Sequence, residues 1–345
     1  MEKKSCNKIK TDKLPRSGIE NFSHERGISD LGLTVVKSRD SIWIKDVTLT
    51  GDAPKGFVRI YEFERNGKIR RNNPATWPLY IAKTGHKWYP IESITEYLLN
   101  RLGEVFGIRV AKSKLCVING QLRFLSRYFL DVNKETLTHG AEIFAGFLED
   151  QAFVESVEKA KLSRNFFTLQ FVEMAVAKAF PQEKDTIMSD LVKLLLFDAM
   201  VGNNDRHFYN WAVIQSFDRR KTACFSPAYD TARGLFWNTS EEQLLMRVRQ
   251  KDVARYVKKY CDNSRPKLGW ESVADLNHFN LVKEIFANEF YITHEEIRTL
   301  FRPEMIQTMQ ETINKEFSRL LSQERIMMIN ECLSYRYKTI WEIIK

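Results

Sequence analysis

The pattern of hydrophobic and polar residues changes about one third of the way along the 345-residue chain. Up to about residue 130, short apolar runs alternate with turn residues, which is typical of β-strands. The predicted strands are Leu33–Val36, Ser41–Leu49, Gly56–Phe63, Leu79–Lys83, Leu115–Ile118 and Leu122–Leu125. Asn119-Gly120 lies between the last two strands and predicts a tight type I′ turn, because these residues readily adopt positive φ angles.

Helical periodicity occurs once within this β-rich part and dominates after about Thr136. The first helix is predicted over residues 91–106, where apolar residues recur on one face. A mostly apolar helix over Asp185–Val201 is predicted to be buried and to end at Gly202. The remaining predicted features are a hairpin of strands Trp211–Gln215 and Thr222–Phe225, and amphipathic segments at Arg247–Lys259 and Ile306–Leu321.

These patterns predict an α+β fold with two lobes. We expect a polar, partly disordered N-terminus over residues 1–30, a β-rich lobe over 31–130 and a mainly helical lobe over 131–345. The composition, with 43% hydrophobic and 28% charged residues, is that of an ordinary soluble globular protein. No apolar run reaches the roughly 18 residues of a membrane span, and the polar start lacks the apolar core of a secretory signal.

Cysteines, histidines and charge restrict the chemistry further. The five cysteines are widely spaced without a Cys-x-x-Cys pair, which disfavours a structural zinc or a disulfide framework and predicts a cytoplasmic location. The six histidines lack the spacing of metal ligands. A net charge of +9 favours acidic partners without identifying one. We interpret the basic stretch Arg247–Lys259 as a solvated helix face rather than a DNA-binding surface.

Asp205, Asn210 and Asp230 form the most specific pattern in the chain, because they flank the predicted hairpin. A hairpin brings its ends together, so we expect these side chains to converge. Phosphoryl transfer uses such a set: one carboxylate accepts the hydroxyl proton of the acceptor, while an amide and a second carboxylate hold magnesium. His207, close to the first acid, is expected to orient the loop. The alternative interpretation is a surface loop with solvated charges.

A lysine that holds nucleotide phosphates is predicted at Lys83, which ends an apolar strand. Glu96 on the following helix is its expected partner, and Glu92 is the second candidate. A competing interpretation places Glu96 in a capping box with Ser93. Upstream, residues 48–56 are predicted to cover the phosphates with backbone N–H groups, although an ordinary turn between strands remains the alternative.

Together these segments resemble the HipA-like serine/threonine kinases, the toxin components of bacterial toxin–antitoxin systems. The resemblance rests on the loop Thr48–Lys55, the strand Tyr80–Lys83, the helix block Glu96–Val110, and Gly202–Asn210 with Pro227–Asp230. The loop departs from the family pattern at Ala53, where the family has glutamine. About 47 residues precede the loop, so the chain is expected to resemble either the shorter members, whose N-terminal subdomain is a separate protein, or a stand-alone kinase.

The resemblance implies a protein-kinase-like fold and an activity that depends on ATP and magnesium. It implies that Asp205 is the catalytic base and that Asn210 and Asp230 are magnesium ligands. The residues that it places at the nucleotide are Lys83, Lys55, Gly51 and Glu96. Thr48 and Thr50 occupy the positions of serines that the family can autophosphorylate, and a phosphate there would repel the phosphates of ATP.

The resemblance also implies partners. They are a protein substrate, by analogy an aminoacyl-tRNA synthetase or another translation factor, and an antitoxin through which DNA is reached indirectly. No membrane contact is expected. Two alternatives stay open. Phosphoinositide-type lipid kinases share the Asp-Arg-His-x-x-Asn loop, although they typically carry Asp-Phe-Gly where this chain has Tyr229-Asp230-Thr231. The other alternative is a catalytically weak protein that binds nucleotide, antitoxin or DNA.

Overall fold

The computed structural model of the protein describes residues 32–44, 54–65, 67–85, 88–131, 133–218 and 221–345. The strands are β1 (Val35–Val36), β2 (Ser41–Ile44), β3 (Lys55–Ile60), β4 (Leu79–Lys83), β5 (Ser113–Ile118), β6 (Gln121–Arg127), β7 (Glu135–His139), β8 (Ala212–Ser216) and β9 (Cys224–Phe225). The helices are α1 (Ile91–Phe106), α2 (Gly140–Leu148), α3 (Gln151–Lys159), α4 (Ser163–Phe166), α5 (Leu169–Ala179), α6 (Lys184–Val201), α7 (Glu241–Arg249), α8 (Val253–Asp262), α9 (His278–Asn288), α10 (His294–Leu300), α11 (Pro303–Glu316) and α12 (Gln323–Ile344). The N-terminus predicted to be partly disordered lies outside the described residues.

The β-rich part forms one six-stranded sheet with the strand order β1-β5-β6-β4-β3-β2. Its strands pair antiparallel, except that β1 runs parallel to β5. Val58, Ala82 and Leu125 are fully buried in its core. Asn119 and Gly120 have φ angles of 54° and 74°, so the predicted tight turn between β5 and β6 is confirmed. The strand predicted to reach Phe63 already ends at Ile60.

A second sheet corrects the prediction that one hairpin is the only β-structure after Thr136. β8 and β9 form the predicted hairpin, and β7 adds a third strand on the other side of β8. No residue of β7 is buried, because this strand lies at the edge of the sheet. The strand therefore lacks the apolar alternation by which a half-buried strand is recognised.

Helix α6 forms the centre of the helical part. It contacts α1, α5, α9, α12 and β9, so its apolar residues are buried on several sides rather than along one stripe. Helix α12 packs across α6, α7, α8, α9 and α11 and joins the later helices to this centre. The amphipathic segment predicted over 306–321 is α11, which begins earlier and ends at Glu316.

The basic stretch predicted as one amphipathic helix consists of parts of α7 and α8. Lys251, between the two helices, has a φ of 53°, a left-handed conformation that a continuous helix does not contain. The side chain of Arg247 reaches Asp252 across this break, with 3.5 Å between Nη1 and Oδ2. The correction is local, since most of the basic residues still lie on helical turns.

Helix α1 connects the sheet to the helical part. Ile94, Leu98 and Leu102 are fully buried, and the helix contacts β5 and β6 on the sheet side. On the other side Arg101 binds Glu316 of α11 through two hydrogen bonds of 2.9 Å. The position of α1 is therefore fixed from both directions. Among the described helices, none combines the length and apolar character needed to cross a membrane.

Candidate active site

Lys83, Glu96 and Asp230 form a compact ionic cluster between the sheet and the helices. Lys83 ends β4, and its Nζ lies 2.6 Å from Oε1 of Glu96 on α1. Asp230, in the segment after β9, contacts the same Nζ through Oδ1. Burial lowers the pKa of Lys83, and the attraction of Glu96 opposes this change. The two carboxylates compensate a buried ammonium that would otherwise be costly to desolvate.

The capping-box interpretation of Glu96 is wrong. Helix α1 begins at Ile91 after Pro90, so Ser93 lies inside the helix rather than at its cap. The Oγ of Ser93 instead accepts a hydrogen bond of 2.9 Å from the backbone N–H of Gly85. This bond attaches the chain that leaves β4 to the first turn of α1, which is the helix that carries Glu96.

The predicted phosphate loop is described only at its end. Lys55 begins β3 and lies directly opposite Lys83 in the β3–β4 register, and its charge lowers the pKa of Lys83 further. A second positive charge therefore lies beside the lysine at the strand end. Gly51, Thr48 and Thr50 lie outside the described residues, so their predicted roles stay predictions.

The loop that follows α6 carries Asp205 and Asn210. Gly202 ends the helix in a left-handed conformation with a φ of 68°, as the sequence predicted. Beyond it, Nδ2 of Asn210 donates a hydrogen bond of 2.7 Å to the backbone carbonyl of Asp205. The N–H of His207 donates to the same carbonyl at 2.9 Å. The loop is thus closed by its own hydrogen bonds, which fix Asp205 relative to Asn210.

The carboxylate of Asp205 lies in a partly buried, positively charged environment. Its Oδ2 is 3.0 Å from Nε of Arg233, and 19% of its side chain is exposed. Burial raises the pKa of Asp205, whereas the positive charge of Arg233 lowers it. Burial also lowers the pKa of His207, which favours the neutral imidazole. The sequence did not predict Arg233 as a site residue, because Arg233 belongs to none of the motifs.

Asp230 is positioned by the backbone on its N-terminal side. Val110 and Ala228 form a parallel bridge, in which the N–H of Ala228 donates to the carbonyl of Arg109 at 2.8 Å. The hydroxyl of Tyr229 contacts Nδ1 of His139 at 2.8 Å. Asp230 itself has a φ of 51°, an uncommon conformation for a residue other than glycine. The contacts around it hold this conformation in place.

Arg206 connects the two acidic segments and was not predicted as a site residue. Its guanidinium is 1% exposed and pairs with Asp198 of α6 at 2.9 Å. It also donates to the carbonyls of Asn210 and Tyr229 at 2.8 and 2.9 Å, and to Oγ1 of Thr231 at 2.6 Å. One side chain thus binds the residues on both sides of Asp230 and the end of the Asp205 loop. The sequence feature that could have identified Arg206 is its position directly after the candidate base Asp205.

The side chains of Asn210 and Asp230 fit a magnesium ion. Because Nδ2 of Asn210 is used by the carbonyl of Asp205, its Oδ1 is the atom left for a cation. Asp230 adds a carboxylate that is 31% exposed. Oxygen atoms are the ligands that magnesium prefers. In the part of the chain that the structure describes, no group of three or more His, Cys, Asp or Glu side chains is placed to hold a metal ion.

Comparisons with known proteins give a family and a shared fold. The sequence profile of the HipA-like C-terminal domain matches residues 47–313. The structure is similar to that of the Helicobacter pylori proinflammatory kinase CtkA, with a TM-score of 0.68 and 13% identity over 90% of this chain and 96% of that chain. It also matches HipA of Shewanella oneidensis MR-1, from a complex with HipB and operator DNA, with a TM-score of 0.45 and 14% identity over 88% of this chain and 66% of that chain. No curated protein matches the sequence. The likeness to CtkA confirms the predicted kinase-like α+β fold.

Proposed function

Because the chain belongs to the HipA-like C-terminal domain family, we propose that it is an ATP- and magnesium-dependent kinase that phosphorylates serine or threonine residues of a protein. One observation carries the proposal. Lys83, Glu96 and Asp230 are in contact, and Arg206 joins their cluster to the loop of Asp205. Charges that met by coincidence at the surface would be exposed to solvent. Here Lys83 and Glu96 are buried, and one arginine connects the segment of Asp230 to the loop of Asp205.

The ionic cluster provides the nucleotide-binding function. When bound, ATP supplies the phosphoryl group, and magnesium held by Asn210 and Asp230 offsets part of its negative charge. Lys83 binds phosphate oxygens, and the ion pair with Glu96 holds the ammonium group of Lys83 at the end of β4. Lys55 places a second positive charge on the same side of the sheet, where it attracts the triphosphate.

Asp205 acts on the acceptor. Its carboxylate accepts the proton of the serine or threonine hydroxyl and orients that oxygen toward the phosphoryl group. Arg233, 3.0 Å away, favours the ionised form that this role requires. The hydrogen bonds of Asn210 and His207 to the carbonyl of Asp205 hold the loop, so the carboxylate is positioned before the acceptor binds.

Substitution of the two acids tests this function. Asp205→Ala and Asp230→Ala should each lower the rate of phosphate transfer from labelled ATP by about 10²- to 10⁴-fold, because each removes a group that acts in the transition state. Incorporation of label into protein and lipid acceptors is measured with and without magnesium chelation. Circular dichroism and thermal unfolding show whether each variant still folds.

Asp185→Ala is the matched control, because this aspartate lies at the start of α6 with a side chain that is 84% exposed. It should transfer phosphate at the wild-type rate. Undiminished transfer by folded Asp205→Ala would rule out the assigned base, and transfer to lipid alone would replace the protein acceptor by a lipid. Mass spectrometry of the kinase reports whether Thr48 or Thr50 is modified, while antitoxin pairing stays a prediction from the family resemblance.

A further inference from the structure

Arg233 is attached to the loop of the proposed base through both its side chain and its backbone. Its Nε lies 3.0 Å from Oδ2 of Asp205. Its backbone carbonyl accepts a hydrogen bond of 3.2 Å from the N–H of Asn204, the residue that precedes Asp205. The guanidinium is therefore fixed at the carboxylate that receives the acceptor proton, although 30% of the Arg233 side chain is exposed.

The segment that carries Arg233 is held in place by close packing. An added Cβ at Gly234 would lie 2.7 Å from the carbonyl oxygen of Val201, so this segment approaches the end of α6 as closely as a glycine allows. The guanidinium of Arg233 lies over the ring of Trp237, 5.2 Å from its centroid. The N–H of Trp237 donates to the carbonyl of Gly234 at 3.1 Å. The positive charge is thus preorganised, and the binding of a ligand does not have to order it.

Arg233 also lies next to the proposed cation ligand in sequence. It follows Asp230 by three residues, so one short segment supplies both the carboxylate for magnesium and the cation at Asp205. In the proposed reaction, the phosphoryl group moves from a nucleotide held at Asp230 to an acceptor oxygen held at Asp205. An acceptor oxygen that gives its proton to Asp205 is within hydrogen-bond distance of it, and reacting atoms approach to about 3–3.5 Å. The group in transfer therefore passes close to Arg233.

The electrostatic environment of Asp205 favours an additional anion. Burial raises the pKa of Asp205, and the positive charges of Arg233 and Lys267 both oppose this rise. Lys267 lies between α8 and α9 and is half-buried. Two cations therefore act on one carboxylate, which attracts an anionic group such as a phosphate to this position.

We propose that Arg233 is a catalytic residue that binds the γ-phosphoryl group of ATP while it holds Asp205. The proposal rests on the kinase function proposed above and adds a residue to its site. A guanidinium has five N–H donors in one plane, so one arginine can bind a carboxylate and a phosphate oxygen together. Its charge offsets the negative charge on the oxygens of the group in transfer.

Arg233 acts in the step that moves the phosphoryl group. Asp205 accepts the proton of the serine or threonine hydroxyl, whose oxygen forms a bond to the γ-phosphorus. The bond between this phosphorus and the oxygen that bridges it to the β-phosphate breaks, and its electron pair leaves with ADP. The contact of Arg233 with the γ-phosphoryl group exists with ATP and not with ADP, so the affinities for these two nucleotides report on it.

Nucleotide binding without an acceptor tests this role apart from catalysis. Isothermal titration calorimetry measures the affinity for ADP and for a non-hydrolysable ATP analogue, each with magnesium. Arg233→Gln should weaken binding of the analogue by about tenfold, as loss of one charge-assisted hydrogen bond does, and leave ADP binding within about twofold of the wild type. Arg233→Lys keeps the charge and should lose less affinity for the analogue.

A second comparison separates direct contact from an effect through Asp205. Loss of Arg233 alone brings the γ-phosphate next to an unpaired carboxylate, which also weakens binding of the analogue, and Asp205→Asn removes this charge. In the Asp205→Asn protein, Arg233→Gln should still weaken analogue binding by about tenfold, because the contact is direct. Arg71→Gln is the control, because Arg71 is 57% exposed and pairs with Asp40. Its affinities for both nucleotides should equal those of the wild type.

Two results overturn the role of Arg233: equal loss of ADP and analogue binding in Arg233→Gln, or no further loss of analogue binding when Arg233→Gln is added to Asp205→Asn. Circular dichroism shows whether each variant folds. The double variant leaves no unpaired charge at this position, so it gives the comparison where Arg233→Gln alone does not fold. A wild-type protein that binds neither nucleotide would contradict the kinase function itself, whereas binding of both without dependence on Arg233 contradicts only this role.

Discussion

The buried guanidinium of Arg206 joins helix α6, the loop that follows it and the segment that carries Asp230. It pairs with Asp198 of α6, and it binds the carbonyl groups of Asn210 and Tyr229. A buried charge of this kind is specific in geometry, because the cost of its desolvation is recovered only when its partners are all in place. The relative position of the proposed base Asp205 and the proposed cation ligand Asp230 therefore depends on Arg206, which binds the backbone of Asn210 and Tyr229.

Loss of this arginine should be costly for the folded state. Arg206→Ala leaves the buried carboxylate of Asp198 without its counter-charge, and we expect the free energy of unfolding to fall by about 3–5 kcal/mol. Urea unfolding measures the change. Arg71→Ala is the control, since Arg71 pairs with Asp40 while 57% exposed, and should cost about 1 kcal/mol or less. Equal effects of the two substitutions would contradict this role of Arg206.

The single residues of the site differed in how far the sequence predicted them. Lys83 was predictable because it is the last residue of an apolar strand. Its contact with Glu96 was predictable because the helix of Glu96 directly follows that strand in sequence. Arg233 was not predictable in this way, because it meets Asp205 only through the tertiary fold. The sequence also did not separate a capping role of Glu96 from an ion pair, since both place the residue on the first turns of one helix.

At the level of elements, the ends of the helices show how local conformation and packing combine. Gly107 ends α1 with a φ of 98°, and no atom lies within 4 Å of the position of an added Cβ. Gly202 ends α6 with a φ of 68°, but an added Cβ there would lie 2.4 Å from Nη2 of Arg336. Arg336 is fully buried and donates to the carbonyl of Ala199, so it has little room to move.

These two glycines separate backbone strain from steric overlap. Gly107→Ala should cost about 1–2 kcal/mol, the energy of a left-handed conformation in a residue with a side chain. Gly202→Ala should cost about 1–3 kcal/mol more, because the added methyl group displaces buried Arg336. Chemical unfolding of both variants gives the difference, and a smaller loss for Gly202→Ala than for Gly107→Ala would contradict the predicted overlap.

Long elements with a strong pattern were predictable, whereas short elements with a weak pattern were not. Helices α1 and α6 were located from periodicity, because each buries many apolar residues, and strand β4 was located from a short apolar run that ends at Lys83. Strand β7 is at an edge and buries none, so its pairing partner alone defines it. The break at Lys251 lies in a sequence without glycine or proline, and only the left-handed backbone reveals it.

For the whole molecule, buried histidine links stability to pH. His278 begins α9 and is 1% exposed. Its backbone N–H donates a hydrogen bond to the backbone carbonyl of Ser264. Burial lowers the pKa of His278 well below its ordinary value, and the charges of Arg336 and Arg265 contribute in the same direction. The folded protein therefore resists protonation at this position, while the unfolded chain takes up a proton near pH 6.5.

The free energy of unfolding should therefore fall as the pH is lowered below about 6.5, with His278 contributing a slope of up to about 1.4 kcal/mol per pH unit. Above pH 7 both states are neutral at this residue, so the contribution is constant. His278→Leu should reduce the slope between pH 5 and pH 6.5, as measured by urea unfolding. An unchanged slope would show that this histidine is not responsible. His139 and His207, whose pKa values burial also lowers, account for a remaining slope.

Asp230 lies in a peptide segment that is anchored to two bodies at once. On one side, Ala228 is hydrogen-bonded to the chain that leaves α1. On the other, Arg206 holds the neighbours of Asp230 to the loop that leaves α6. A displacement of α1 relative to α6 would therefore be taken up within these few residues. The position of the Asp230 carboxylate thus depends on the spacing between α1 and α6, because the backbone on its two sides is attached to the chain that leaves each helix.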